Sequence, residues 1–232
     1  MTQNENNLVF VPLGGTGEIG MNCNLYGYGA GNRRDWIMVD LGVTFGRHTE
    51  PGIELITADT GFIEAEKGRL HALLLTHGHE DHIGAVAHLW PRLKCPVYAT
   101  AFTAELVRGK LAEAGLLEAV PLHIVDPQQS LELGPFHIDY IGLTHSIAEP
   151  NALAVRCGGA RVLHTGDWKI DPDPVIGKVT EYERLKAFGD EGVDAIVCDS
   201  TNVLSEGRSG SEADVSTALN KVVTESTGRV VV

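Results

Sequence analysis

The sequence has no long hydrophobic run and relatively little basic charge. No stretch approaches the roughly 18 apolar residues of a membrane-spanning helix, and residues 1–7 lack the basic start and apolar run of a signal peptide. Lysine and arginine number 18 against 31 acidic residues, which gives a net charge of −13. The absence of a long apolar run predicts no membrane association. The shortage of basic residues argues against a basic nucleic-acid-binding surface on this segment taken alone.

Cysteine is also scarce, and its spacing excludes a disulfide framework. The four cysteines are widely separated, form no CxxC pair and each lie in or beside an apolar run. We therefore expect buried, reduced thiols and a cytoplasmic location. At 232 residues and 43% hydrophobic content, the chain has the composition of a soluble globular protein with a sizeable core.

One stretch concentrates metal-binding side chains. Residues 76–82 hold three imidazoles and two carboxylates, and these ligand types suit zinc. His77 and His79 are two residues apart, so on an extended backbone they face the same side and can hold one metal. Asp81 and His82 lie beyond a turn and can offer ligands to a second metal. An ordinary turn before a helix would need only one capping residue.

Two later strand ends carry further ligand types. His145 follows an apolar strand pattern, and Asp167 follows another. Each is weak evidence alone, but together they supply a third imidazole for the first metal and a carboxylate able to bridge both. Asp40 ends the strand pattern at residues 35–40, where it either orients a ligand histidine or serves as a turn residue. The remaining histidines are interpreted as structural or exposed: His48, His71, His88, His123, His137 and His164.

A glycine-rich stretch at residues 14–20 contains the pattern G-x-G-x-x-G after a probable strand. Asp40 even lies about where a dinucleotide-binding protein would place its ribose-binding acid. A dinucleotide loop must open a helix, however, whereas residues 22–29 read as a strand that runs into another glycine-rich turn. We therefore predict a hairpin and no nucleotide cofactor. The glycines are expected to let the backbone approach a site closely.

The order of elements predicts an α/β fold. Strand and helix patterns alternate from residue 70 to residue 116, and hairpins dominate residues 130–164. Helices are predicted at residues 180–190 and 212–227. A strand is predicted to begin at residues 228–232.

The HxHxDH run at residues 77–82, with His145 and Asp167 downstream, resembles the metallo-β-lactamase superfamily. A finer likeness covers the chain from about residue 8 onward and resembles the RNase J branch of the β-CASP nucleases. Its motifs lie at residues 14–22, 39–42, 143–147, 165–169 and 199–202. The resemblance implies an αββα sandwich, in which two mixed sheets lie between helices. It also implies that residues 1–232 form the N-terminal portion of the lactamase domain, with a β-CASP domain and the remainder after residue 232.

The resemblance further implies two zinc sites, for which manganese or magnesium is an alternative. His77, His79 and His145 would hold one metal. Asp81 and His82 would hold the other, which is one family ligand short in this chain and is expected to be weak or empty.

In the same pattern Asp167 would bridge the two metals and Asp40 would support a ligand histidine. The implied reaction is hydrolysis of RNA, from the 5′ end, internally or both. A hydroxide held between the metals, where the pKa of water falls to about 7, would attack the phosphorus. Asp81 or Asp167 would orient it. We also expect the intact protein to be a homo-oligomer.

Two other functions remain open at this point. One is a metallo-hydrolase that acts on a small molecule such as a lactam or a thioester, for which the HxHxDH motif would serve equally well. The other is a non-catalytic, metal-bound scaffold in an RNA-processing complex. Assays on RNA, nitrocefin and acyl thioesters distinguish these functions from RNA hydrolysis.

Overall fold

A computed structural model describes residues 6–31 and 33–231. Thirteen strands lie within these residues: β1 (Asn7–Gly14), β2 (Cys23–Ala30), β3 (Arg33–Val39), β4 (Val43–Phe45), β5 (Leu55–Thr57), β6 (Leu70–Leu74), β7 (Val97–Ala99), β8 (Leu122–Ile124), β9 (Leu131–Leu133), β10 (Phe136–Gly142), β11 (Asn151–Cys157), β12 (Ala160–His164) and β13 (Ala195–Val197). The α-helices of the same residues are α1 (Gly61–Ala65), α2 (Glu80–Ile83), α3 (Val86–Leu93), α4 (Ala101–Glu113), α5 (Tyr182–Asp190) and α6 (Glu212–Glu225). A 3-10 turn covers Lys67–Arg69.

Two mixed sheets contain most of the strands. The first has the order β1-β2-β3-β6-β7-β8, antiparallel from β1 to β3 and parallel from β3 to β8. The second has the order β13-β12-β11-β10-β9, in which only the β12–β13 pair is parallel. β4 and β5 form a separate two-stranded sheet.

The alternation of side chains along β3 shows how the layers are built. Ile37 and Val39 point between the two sheets, where they join a core with Phe136 and Leu153 of the second sheet. Trp36 points the other way, into a core shared with α1, α3 and α4. A smaller core between the second sheet and α5 includes Phe188. The layers are therefore αββα, and the predicted fold class is confirmed.

Two local expectations are wrong. Cys198 is exposed, whereas Cys23, Cys95 and Cys157 are buried as expected. Residues 228–231 are not a strand, since no described strand pairs with them, and Val232 lies outside the described residues. None of the described helices combines the length and the apolar character needed to cross a lipid bilayer.

Candidate metal centre

The candidate ligands lie at one edge of the sandwich, where several strands end. β3 and β6 are parallel, so the residues that follow them emerge at the same edge. The loop after β10 carries His145, and the turn after β12 carries Asp167. The two sheets are joined at this edge by a hydrogen bond from Asn151 N to Thr76 O at 3.1 Å.

The first cluster combines three imidazoles with one carboxylate. His79 Nδ1 lies 3.2 Å from His77 Nε2 and 3.2 Å from His145 Nε2. Asp167 Oδ2 is 3.6 Å from His145 Nε2 and 4.0 Å from His77 Nε2. One ligand atom from each residue lies within 4.8 Å of all the others. Ring nitrogens that converge in this way on a carboxylate fit a divalent cation, because neutral imidazoles would otherwise oppose their lone pairs.

The second cluster shares Asp167 with the first. His82 Nε2 is 3.3 Å from Asp167 Oδ1 and 3.6 Å from Asp81 Oδ2. One ligand atom each from Asp81, His82 and Asp167 again lies within 4.8 Å of the others. The two carboxylate oxygens of Asp167 are therefore divided between the clusters, as a bridging ligand requires.

Asp40 is fully buried beneath the second cluster. Its Oδ2 accepts a hydrogen bond from His82 Nδ1 at 2.7 Å and one from Thr76 Oγ1 at 2.9 Å, and its Oδ1 accepts from Thr76 N at 2.8 Å. Donation from Nδ1 directs His82 Nε2 toward Asp81 and Asp167. Asp40 has φ 61°, a left-handed backbone that few residues adopt, which sets its carboxylate under the cluster.

The histidines of the two clusters have opposite pKa shifts. Burial lowers the pKa of His77, and the neighbouring imidazoles lower it further. Burial is also the largest cause of the lowered pKa of His79 and of His145. Burial alone would lower the pKa of His82, but Asp40 and Asp167 outweigh it and raise the pKa to about 10. The imidazoles of the first cluster are therefore unprotonated at neutral pH, whereas the carboxylates around His82 favour positive charge at that position.

Sequence reasoning missed three residues at this site. Thr76 Oγ1 lies 3.0 Å from His77 Nδ1 and connects that ring to Asp40. Asn22 and Gly42 contact the turn that carries the second cluster. Thr76 could have been found from its place directly before the motif, but the other two contacts depend on tertiary packing.

A groove of about 870 Å³ opens over Asp81, His82 and Asp167. One wall is the glycine-rich stretch at residues 15–20, and the other is the segment at residues 194–201. Within the described part of the chain, five carboxylates line this groove and no lysine or arginine does so. An anionic group entering the groove would therefore depend on bound cations for attraction.

The αββα sandwich with a His/Asp cluster at its strand ends defines the class of the protein, a metal-binding domain of the metallo-β-lactamase fold. Residues 48–197 match a family described as "Beta-lactamase superfamily domain". The chain belongs to this superfamily, whose members bind divalent metal.

Within the superfamily the chain is similar to Ribonuclease J proteins. It is 48% identical over 230 residues to Ribonuclease J of Sinorhizobium meliloti, a match that covers 99% of this chain and 41% of that protein. It is 42% identical over 227 residues to Ribonuclease J of Corynebacterium glutamicum, which covers 97% of this chain and 31% of that protein. The chain thus spans less than half the length of these relatives. The predicted resemblance to the RNase J branch is confirmed.

A solved structure supports the fold alone. A protein of unknown function from Enterococcus faecalis V583 superposes with a TM-score of 0.62 at 14% identity. The match covers 97% of this chain and 59% of that protein.

Proposed function

We propose that this chain provides the metal centre of a ribonuclease that hydrolyses RNA phosphodiester bonds. The observation that carries the proposal is the pair of clusters that share Asp167. Support comes from the similarity to Ribonuclease J over nearly the whole chain.

The ligands proposed for the first ion are His77, His79, His145 and Asp167, and those for the second are Asp81, His82 and Asp167. Imidazole and carboxylate in this proportion favour zinc. Two bound divalent cations supply Lewis-acid chemistry, in that they acidify water and neutralise charge on phosphoryl oxygens.

The residues of the chain have separate tasks in this scheme. Asp81 orients the attacking water by accepting its hydrogen bond at the carboxylate oxygen that faces away from His82, because both oxygens of Asp167 face the clusters. Asp40 holds the proton on His82 Nδ1, so Nε2 is the ring nitrogen that a metal would take. Thr76 fixes the ring of His77 by its contact with Nδ1.

The charge of the groove restricts how RNA is held. A polyphosphate strand is repelled by five carboxylates, and affinity for nucleic acid grows with the number of phosphates that are neutralised. The metals are therefore the local source of attraction for the scissile phosphate. RNA binding by this chain should depend on divalent metal.

Metal content and cleavage of labelled single-stranded RNA test the proposal. We expect the purified protein to contain zinc by elemental analysis and to cleave RNA, and His77→Ala to abolish cleavage. His88→Ala is the matched control, because His88 is exposed on α3 and touches neither cluster. Substrates labelled at the 5′ end and internally separate the two modes of cleavage.

Two results would contradict the ribonuclease assignment. One is a metal-loaded protein that hydrolyses nitrocefin or an acyl thioester but leaves RNA intact. The other is equal RNA cleavage by wild type and His77→Ala.

A further inference from the structure

Asn22 lies directly before β2, against the turn that carries Asp81 and His82. Its backbone N donates to Asp81 O at 2.9 Å, and its backbone O accepts from Gly42 N at 2.9 Å. Its side-chain Nδ2 also donates to Asp81 O, at 3.2 Å, and lies 3.1 Å from His82 Nε2. Asn22 therefore contacts both residues that the second cluster does not share with the first.

Hydrogen-bond chemistry determines the orientation of the amide. A backbone carbonyl can only accept, so the NH2 group of Asn22 must face Asp81 O. The amide oxygen then points toward the glycine-rich stretch. A Cβ on Gly15 would lie 2.3 Å from Asn22 Oδ1, and a Cβ on Gly14 would lie 2.3 Å from Met21 O. These glycines leave the space in which the segment at residues 21–22 lies.

The contacts of Asn22 are selective. Its side-chain Nδ2 donates to Asp81 O and lies beside His82 Nε2, whereas His77, His79 and His145 have no hydrogen bond to it in the described structure. Removing the amide would leave the backbone bonds of Asn22 to Asp81 and Gly42 in place. Loss of the side chain should therefore lower the metal affinity of the second cluster and leave that of the first unchanged.

We propose that Asn22 is a positioning residue for the second metal cluster, and that the glycines at positions 14 and 15 make room for it. The amide fixes the carbonyl of Asp81 and so the direction from which the Asp81 carboxylate and the His82 ring approach a cation. This inference rests on the two-metal site of the proposed function. It gives the G-x-G-x-x-G pattern a role in building that site.

A direct ligand role for Asn22 would have different consequences. The amide oxygen would have to replace Nδ2 beside His82, which would break the bond to Asp81 O. An aspartate at this position would then be an equal or better ligand. Under the positioning role an aspartate fails, because it has no hydrogen to donate to the carbonyl and adds a charge beside Asp81.

Zinc titration of the purified protein, with competition from a chelator, tests the proposal. We expect Asn22→Ala to raise the second-site Kd about 10- to 100-fold, the range found when a group that orients a ligand is removed, with the first-site Kd unchanged. Asn22→Asp should weaken the second site as well. Asn220→Ala is the control, because Asn220 is exposed on α6. Equal second-site affinity in wild type and Asn22→Ala would overturn the proposal, as would tighter binding by Asn22→Asp.

Two glycine substitutions test the role of the loop while Asn22 itself is left unchanged. Gly15 and Gly17 have similar positive φ angles, 81° and 76°, so alanine strains the backbone at both. Only at Gly15 does a Cβ meet the Asn22 amide, since nothing lies within 4 Å at Gly17. Gly15→Ala should therefore weaken the second zinc more than Gly17→Ala does. Equal effects of the two changes would overturn the role assigned to the loop.

The titration also separates this inference from the proposed function. A protein that binds two zinc ions but does not cleave RNA would end the ribonuclease assignment, and the comparison of second-site affinities would still decide the role of Asn22. A wild type whose second site stays empty even at saturating zinc would overturn the inference, because there would be no second site to position.

Discussion

Tyr26 Oη lies 3.0 Å from His164 Nδ1, in a buried hydrogen bond that joins the two facing sheets. Tyr26 belongs to β2 of the first sheet and His164 to β12 of the second. Both residues also line the groove over the second cluster. The pair therefore fixes the separation of the two groove walls close to the candidate metal centre, although His164 itself is in neither ligand set.

This pair predicts that the protein loses stability in mild acid. Burial is the largest cause that lowers the pKa of His164, from 6.5 to about 4, and the nearby Asp40 carboxylate opposes it only in part. In the unfolded chain His164 binds a proton below pH 6.5, whereas in the folded chain it binds one only below about pH 4. The contribution of His164 is therefore complete above pH 6.5 and is lost by about 1.4 kcal/mol for each pH unit between these values.

Urea unfolding of wild type and His164→Gln between pH 7 and pH 4.5 measures this loss. Glutamine retains hydrogen-bonding capacity but does not titrate, so the free energy of unfolding of the variant should fall less steeply with acid. The difference between the two proteins isolates His164 from other groups that titrate in this range. His88→Gln, on the exposed face of α3, should follow the wild-type curve. Parallel curves for wild type and His164→Gln would show that His164 is not the group responsible.

Asp40→Asn is expected to weaken metal binding at the second cluster and not at the first. Both oxygens of Asp40 accept hydrogen bonds, so an amide must turn its NH2 group toward a donor, either Thr76 or His82. Asparagine tolerates the left-handed backbone at this position, which limits damage to the fold. A rise of about 10- to 100-fold in the second-site Kd for zinc is the expected result.

The control for this change is Asp35→Asn. Asp35 also accepts a hydrogen bond from a histidine, His71, at 3.0 Å, but it belongs to neither cluster. If both substitutions altered zinc affinity equally, Asp40 would have no special relation to His82.

Gly42→Ala is expected to displace the turn at Asp81. A Cβ on Gly42 would lie 1.6 Å from Asp81 O and 2.7 Å from His82 N, and both are backbone atoms that cannot rotate away. Overpacking of this kind costs about 1–3 kcal/mol. Urea unfolding and zinc titration should show lower stability together with a weaker second site.

Gly109→Ala provides the comparison. Gly109 lies inside α4, with nothing within 4 Å of its added Cβ. Alanine there should stabilise the protein by about 0.5–1 kcal/mol, because glycine loses more backbone entropy in a helix. If Gly42→Ala changed neither the stability nor the second-site zinc affinity, the turn at Asp81 would have more freedom than its packing indicates.

The sequence predicts that the candidate metal ligands that follow strands lie together, and the structure brings them together. Short apolar segments mark β3, β6, β10 and β12, and the residues after them include Asp40, the HxHxDH run, His145 and Asp167.

Contacts made only by tertiary packing could not be predicted in the same way. Asn22 reaches Asp81 across 59 residues of sequence, and the interior of a hairpin sequence gives no signal for such a contact. The exposure of Cys198 also depends on position, because β13 is the last strand of its sheet in the described structure. A local apolar pattern cannot distinguish an edge strand from a buried one.

The division of Asp167 between the clusters gives a prediction about stoichiometry. Asp167 Oδ2 faces His77 and His145, and Oδ1 faces His82. Asp167→Ala should therefore weaken both zinc sites. His145→Ala should weaken only the first site and Asp81→Ala only the second, because each belongs to one cluster.

Elemental analysis after dialysis against a weak chelator measures this pattern. Each single-cluster variant should retain one zinc ion at a free zinc concentration that fills both sites in wild type, while Asp167→Ala retains less than either. Circular dichroism confirms that all three variants remain folded. Retention of one full equivalent by Asp167→Ala would contradict a bridging position. Loss of both ions from His145→Ala would instead mean that the two sites fill cooperatively rather than independently.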